Sequence, residues 1–219
     1  MSIILAGNQK GGCGKSTIAC NLAAMLAVNN DILLVDADRQ TTSSLWVTER
    51  KRSYPNAPRV NSVQKYGEID DTLLDLRSRY SYVIVDAAGH DSSELRSSLV
   101  VCDVLLMPFR PSQPDLDTLP YMSNLIRASR RVNPNIATYA FINSAPTNIQ
   151  SKDIELARAA IAEYTDICLL DASVYDRRIY RDAMSEGLGV IEMPEKSASA
   201  VSAKNEMMNL IKVALYETL

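Results

Sequence analysis

The run Lys10-Gly11-Gly12-Cys13-Gly14-Lys15-Ser16-Thr17 decides the fold. It lies between a short apolar stretch, Ile3–Ala6, and a longer helical pattern, Lys15–Val28. Glycines at 11, 12 and 14 let the backbone curl so that several N–H groups point at one anion. The helix that follows adds the positive end of its dipole at the same spot. Lys15 then brings a full positive charge to the β- and γ-phosphates of a nucleotide, and the Ser16 hydroxyl is placed to ligate Mg²⁺. Strand, glycine loop and helix in this order make a phosphate-binding unit, so the chain reads as a nucleotide hydrolase, with ATP the expected substrate.

Working outward, short apolar runs alternate with longer amphipathic stretches. Strands are predicted at Ile3–Ala6, Ile32–Val35, Arg59–Val63, Tyr82–Val85, Val104–Met107, Thr138–Ile142 and Ile167–Leu169. Helices are predicted at Lys15–Val28, Thr41–Lys51, Asp70–Arg79, Ser93–Val101, Leu116–Val132, Ser151–Tyr164, Tyr175–Glu186 and Ala198–Glu217. Several strands are unbroken Val/Ile/Leu runs, the pattern of a parallel sheet covered on both faces. The β-α-β-α rhythm predicts an α/β fold, doubly wound and mostly parallel, with helices on both faces. No internal repeat, low-complexity tract or linker interrupts the 219 residues, so one domain over 1–219 is expected.

A hydrophobic content of 47% with 22% charged residues is that of a globular domain with a substantial core. No apolar stretch reaches the roughly 18 residues needed to span a bilayer. The N-terminus lacks the basic segment of a signal peptide, so a cytoplasmic location is expected. Cys13, Cys20, Cys102 and Cys168 form no C-x-x-C pair, which argues against zinc and disulfides. Cys20, Cys102 and Cys168 read as small core residues. The net charge of −3 gives the whole molecule no basic field, so any nucleic-acid contact needs a local patch.

Two further strands end in acids. Ile32–Val35 runs into Asp36-Ala37-Asp38, and Tyr82–Val85 into Asp86-Ala87-Ala88-Gly89. Ligands of open α/β sheets bind at the carboxyl ends of the strands, where all three acids can reach one Mg–nucleotide. An isolated Asp after a strand is commonly a turn former or a helix cap; three of them beside such a loop point to phosphoryl chemistry. The only histidine, His90, lies in the turn after Asp86 and is assigned nothing.

The loop departs from the usual G-x-x-x-x-G-K-[ST] pattern, whose first glycine would fall at Gln9. It reads K-G-G-x-G-K-[ST]-T, with an extra lysine at position 10. In this it resembles the deviant phosphate loop of the ParA/MinD family of ATPases. Gln40, Trp46, the segment Pro108-Phe109-Arg110-Pro111-Ser112-Gln113-Pro114-Asp115-Leu116 and the stretch Arg178–Ala183 followed by Glu186–Val190 are similar to the small plasmid-partition members. No helix-turn-helix precedes the first strand, the pattern of the short type that is not its own operator-binding repressor. The resemblance implies that Gly11 to Thr17 hold ATP, that Asp38 positions or activates the attacking water, and that Asp36 and Asp86 hold Mg²⁺ through its waters. It also implies that Asn143 touches the adenine, although a turn-forming Asn is an equal reading. No Asn-Lys-x-Asp run of a guanine site follows the sixth strand. Two positions depart from the family. Arg39 stands where proline is usual, and Ala87-Ala88-Gly89 replaces the commoner proline-containing turn.

A second lysine so near Lys15 is poor design for a monomeric site, because two ammonium groups repel. Lys10 makes sense as a group that reaches into a partner's site, in the manner of an arginine finger. ATP would then join two copies into a homodimer, and hydrolysis would release them.

Three tasks fit such a cycle. The first is non-specific DNA binding by the ATP dimer, positioning a plasmid, chromosome locus or protein cargo on the nucleoid. A ParB-like or cargo-adaptor protein would stimulate hydrolysis. Candidate DNA contacts are Arg127, Arg130 and Arg131 on one helix, Arg177, Arg178 and Arg181 near the C-terminal signature, and Lys204 with Lys212 on the last helix. The second is a MinD-like cycle on a membrane. That would want an amphipathic basic C-terminus, whereas residues 207–217 carry one lysine and end acidic, so no stable membrane association is expected. The third is a metabolic enzyme on the same scaffold, either a ligase, which would not need Lys10, or an iron-protein reductase, which would need paired loop cysteines.

Overall fold

The computed structural model describes residues 1–148 and 152–216. Seven strands form one sheet: β1 (Ser2–Ala6), β2 (Ile32–Ala37), β3 (Val60–Gln64), β4 (Tyr82–Ala87), β5 (Val104–Phe109), β6 (Ala137–Ala145) and β7 (Cys168–Tyr175). Their spatial order is β3-β2-β4-β1-β5-β6-β7, and all six neighbouring pairs among the described residues are parallel. The helices are α1 (Lys15–Leu26), α2 (Thr42–Ser53), α3 (Asp70–Arg77), α4 (Ser93–Leu99), α5 (Gln113–Leu116), α6 (Leu119–Ser129), α7 (Asp153–Ala162), α8 (Arg178–Glu186) and α9 (Ala198–Tyr216).

The sheet has two buried faces, which is why its central strands are near-continuous apolar runs broken by Asp36 and Asp86 near the carboxyl ends of β2 and β4. Alternate residues of one strand serve opposite layers. Ile4 and Ala6 pack with α1, α2, α8 and α9 through Ile18, Trp46, Tyr180 and Met207. Ile3 and Leu5 pack with α3, α4, α6 and α7 through Leu73, Leu95, Met122 and Ile161. The expected doubly wound α/β architecture is the one observed.

Several boundaries differ from the sequence reading, each for a physical reason. The predicted helix Leu116–Val132 is two helices, because Pro120 has no N–H to continue the first and instead starts α6, as Pro114 starts α5. The last strand is not Ile167–Leu169 but Cys168–Tyr175. It is an edge strand, burying Leu170, Ala172 and Val174 on one side and exposing Asp171, so the alternation hides its length. Tyr175 therefore closes a strand and does not open α8. Cys168 is exposed on that edge, which corrects its reading as a core residue; Cys20 and Cys102 are fully buried. Strands β2 and β4 run to Ala37 and Ala87, so Asp36 and Asp86 are strand residues, and they face each other in register across the two neighbours. Ser151 and Glu217, the predicted ends of two helices, lie outside the described residues.

Candidate functional site

The loop leaves β1 at its carboxyl end and turns through Gly12 and Gly14, at φ 73° and 102°, both in the left-handed region that glycine tolerates. Gly14 caps α1, and the first intrahelical bond is Ile18 N–H to the Gly14 carbonyl at 3.0 Å. The N–H groups of Lys15, Ser16 and Thr17 precede that bond and remain available to an anion. Lys15 is buried, and its Nζ donates to the Lys10 carbonyl at 2.9 Å. The Cys13 thiol donates to the same carbonyl at 3.2 Å, and burial pushes its pKa up, so Cys13 shapes the loop as a neutral thiol. The Lys10 ammonium makes no ion pair or hydrogen bond among the described residues.

Residues outside the motif hold this loop, and sequence reading missed most of them. Asn8 is fully buried; its Nδ2 donates to the Pro108 carbonyl at 2.8 Å, and its Oδ1 accepts from the Lys10 N–H at 3.1 Å. Asn143, at the end of β6, donates Nδ2 to the Cys13 carbonyl at 2.6 Å. A Cβ on Gly14 would meet that nitrogen at 2.1 Å, so Gly14 is needed for space as well as for its φ. The amide of Asn143 thus ties the loop to β6. Gly89, after β4, closes from the other side; a Cβ there would lie 2.5 Å from Gly11 Cα and 3.0 Å from Lys15 Nζ.

The three acids have distinct surroundings. Asp36 accepts from the N–H of Asp38 at 3.2 Å and of Ser44 at 2.8 Å, fixing the chain between β2 and α2. Asp38 accepts from the Gln40 N–H at 2.9 Å and lies half-buried at the edge of the cleft. Thr41, next to the start of α2, has φ 55°, an uncommon value for a β-branched residue. Asp86 is fully buried, with the Ser16 and Ser43 hydroxyls beside it and neither carboxylate oxygen completing a hydrogen bond among the described residues. Burial pushes its pKa up to about 7, with the Asp36 charge adding to the rise and the two hydroxyls and Lys15 opposing it. A buried carboxylate and a buried Ser43 hydroxyl, both unpartnered, fit a hard cation. No cluster of three or more His, Cys, Asp or Glu side chains gathers among the described residues. That suits Mg²⁺, which is commonly held by one or two carboxylates, waters and substrate phosphates.

Two adjoining clefts share Gly12, Gly14, Thr17 and Thr42. One, of about 720 Å³, is lined by the loop, by Asp38 to Gln40 and by Ala88 to His90. The other, of about 780 Å³, runs between Asn143–Ser144, Val174–Arg177, α2 and α8, with room for a nucleoside. Trp46 is buried in the wall of this second cleft, with Nε1 donating to the Leu188 carbonyl at 3.1 Å.

A phosphate loop at the carboxyl edge, a buried acid beside its serine and a nucleoside cleft alongside define a nucleotide site. Residues 4–213 match the profile of the CobQ/CobB/MinD/ParA nucleotide-binding domain. The chain belongs to that family. As a ParA/MinD-type P-loop protein it is 28% identical over 208 residues to maintenance of carboxysome distribution protein A of Halothiobacillus neapolitanus, covering 92% of each chain. Its fold is similar to an ATP complex of a McdA variant from Cyanothece, at TM-score 0.75 and 16% identity over 99% of this chain and 96% of that one. It is also similar to a plasmid partition protein of Borrelia burgdorferi bound to AMPPNP, at TM-score 0.72 and 16% identity, covering 96% and 98%.

The basic residues expected to touch DNA do not share one face in this ParA/MinD-type chain. Arg127, Arg130 and Arg131 belong to the α6 layer, on the opposite side of the sheet from α8 and α9. Arg127 faces Asp166 and donates to Ser123, while Arg130 donates to Thr138 at 2.9 Å. Arg177 is largely buried against Glu206 at 2.7 Å and stacks on Tyr175. Lys204, 15% exposed, pairs with Glu195. Arg178 and Arg181 remain 85% and 69% exposed and make only surface pairs, with Asp182 and Asp176.

Proposed function

We propose that this chain is an ATP hydrolase that dimerises on MgATP, binds DNA without sequence preference and positions a cargo. The observation that carries the reading is the Lys10 ammonium, without a partner of its own at the exposed rim of a complete phosphate loop whose interior already holds the Lys15 charge.

Gly11 to Thr17 would cradle the phosphates with backbone N–H groups, and Lys15 would turn from the Lys10 carbonyl to the β- and γ-phosphates. Ser16, Asp86 and the neighbouring Asp36 would hold Mg²⁺, the two acids through its waters, and the ion would supply charge neutralisation on the phosphates. The Asp36 carboxylate fixes the Asp38 backbone by accepting from the Asp38 N–H, and Asp38 would orient the attacking water. Phosphoryl transfer asks mainly for positioning and charge, and these residues provide both. Lys10 would complete the site of a second copy, which makes the dimer the competent unit.

The relative that aligns over nearly its whole length is named for carboxysome distribution. It supports a positioning ATPase whose cargo is a protein assembly, with a plasmid or chromosome locus as the other class. A nucleoid location and an adaptor that stimulates turnover follow from the same reading. A membrane-cycling role is disfavoured by α9. Its Ala203, Met207, Leu210, Ile211 and Ala214 are buried in the layer it forms with β7 and α8, so its main apolar side is already covered and only Val201 and Met208 are exposed large apolar residues among its described residues. No described helix is long and apolar enough to cross a membrane.

The test measures ATP turnover and DNA retardation together, with ATP, ADP and a non-hydrolysable analogue. Retardation with ATP and the analogue but not with ADP is expected. DNA binding that ignores the nucleotide, or never appears, would remove the partition reading while leaving the ATPase.

A further inference from the structure

The segment after β5 carries an arginine that neither cleft absorbs. Arg110 donates Nε and Nη2 to Asp115 at 3.1–3.2 Å. Asp115 is fully buried and also accepts from the Ser112 hydroxyl at 3.0 Å. A buried carboxylate with this many donors holds the guanidinium plane in one orientation. The remaining nitrogen, Nη1, has no hydrogen-bond partner among the described residues, and it faces Gly12 of the phosphate loop, 3.9 Å from where a Cβ would sit there.

Gly12 lines both clefts and Arg110 lines neither, so the guanidinium is beside Gly12 without being part of this chain's own nucleotide clefts. Gly11 and Gly12 are exposed, and the Arg110 side chain keeps 37% of its surface. A fixed cation with open donors, on the same exposed rim as Lys10, faces whatever docks against the loop.

We propose that Arg110 is a second trans-acting cation, presented with Lys10 to the triphosphate bound in another copy of this chain. The inference rests on the ATP-dependent dimer proposed above and assigns it a further residue. The division of labour follows from the side chains. Lys10 is a single point charge on a flexible stem, whereas Arg110 is a planar donor whose aim is set by Asp115. Asp115 is then a positioning residue and makes no contact with the nucleotide.

The experiment compares wild type, Arg110→Ala, Arg110→Lys and the double variant Arg110→Ala with Asp115→Asn. The double variant removes the unpaired buried charge that the single change would leave. Light scattering with ATP and steady-state turnover are read on each, then on an equimolar mixture of an Arg110→Ala chain with an Asp38→Ala chain. The proposal expects turnover to fall at least about tenfold in both alanine variants, with lysine failing to restore it. In the mixture the Asp38→Ala subunit would lend its Arg110 to the intact Asp38 of its partner. Half of the dimers are mixed with one competent site each, so about a quarter of wild-type turnover should return. Wild-type turnover in the double variant would overturn the proposal, and so would a loss that mixing does not repair. Wild type that stays monomeric with ATP would instead overturn the dimer reading itself.

Discussion

The guanidinium of Arg39 lies over the ring of Tyr66, 5.2 Å from its centroid, and so joins the turn after β2 to the turn after β3. The family resemblance leads one to expect proline at position 39, whose ring would stiffen the backbone directly beside Asp38. Here a side-chain contact supplies the restraint from outside, while Asp36 and Gln40 hold Asp38 within the turn. An exposed cation–π pair is worth about 0.5–1 kcal/mol. Tyr66→Ala should therefore lower kcat by about two- to fivefold with KM for ATP unchanged, because the role proposed for Asp38 is toward the attacking water and not toward nucleotide binding. The Arg39 N–H donates no hydrogen bond among the described residues, so Arg39→Pro should preserve turnover in both the wild-type and the Tyr66→Ala background. Steady-state kinetics on the four proteins checks the relationship, and a rise in KM with constant kcat would contradict it.

Gly89 meets Gly11 backbone to backbone, and a methyl group there has nowhere to go. It would lie 2.5 Å from Gly11 Cα and 2.8 Å from Gly11 N, with Lys15 Nζ at 3.0 Å. The two atoms nearer than 3.0 Å are both Gly11 backbone, so the loop itself must shift. Gly89→Ala should weaken ATP binding by at least about tenfold, since a shift of an ångström misplaces several N–H donors together. Because the change is confined to a half-exposed turn, the melting temperature without nucleotide should move by no more than about 3 °C. Titration with a fluorescent ATP analogue, beside a thermal melt, separates the two effects.

How much of this was legible in the sequence depends on where each residue's partners lie. The loop, the acids and the sheet could be read because strand, turn and helix signals are local and the acids follow apolar runs directly. The tethers could not. Asn8 meets Pro108, Asn143 meets Cys13 and Trp46 meets Leu188, each across more than 90 residues, and nothing near them in the chain announces the pairing. The edge strand β7 was read short because burial on one side replaces an apolar run with alternation. The basic residues were read as clusters by spacing, and the sheet divides them between its two faces.

Asp86 couples stability to pH in the Mg²⁺-free protein. Its pKa is raised from 3.8 to about 7 by burial, so between those values the folded chain holds a proton that the unfolded chain has lost. Stability then falls as pH rises through that interval and levels off above about 7. From pH 6 to pH 8 the loss attributable to this group is about 1.4 kcal/mol. Asp86→Asn should remove this slope, and denaturant melts at both pH values in EDTA measure it. A slope unchanged by the substitution would show that Asp86 is not its source.

The pair Arg50–Glu192 holds the outer wall of the nucleoside cleft. Arg50 is 3% exposed and bonds both carboxylate oxygens at 2.7 Å, the Pro58 carbonyl at 3.1–3.2 Å and the Gly187 carbonyl at 3.2 Å. Glu192→Ala leaves that guanidinium without its counter-charge, at a cost of about 3 kcal/mol, the low end for a buried pair because Glu192 keeps some solvent contact. For a chain of this length that corresponds to a drop of about 6–12 °C in melting temperature. Turnover at low temperature should survive, since α2 keeps Trp46 bonded to Leu188.

The proposed DNA binding can be tested on the two sides of the sheet. Arg178 and Arg181 are the exposed candidate contacts on the α8 side, and their partners Asp182 and Asp176 are exposed as well, so both guanidiniums can exchange a surface pair for a phosphate at little cost. Arg178→Ala with Arg181→Ala should weaken ATP-dependent DNA binding uniformly across sequences and lower the slope of log affinity against log salt by about two per bound monomer. Arg127→Ala with Arg131→Ala, on the α6 side, should leave both affinity and slope unchanged. Arg177→Ala should instead lower stability, because it strips the buried Glu206 of its ion pair. Fluorescence anisotropy on one labelled duplex over a salt series distinguishes these results. If the α6 pair carries the salt dependence, the DNA side of the molecule is the opposite face.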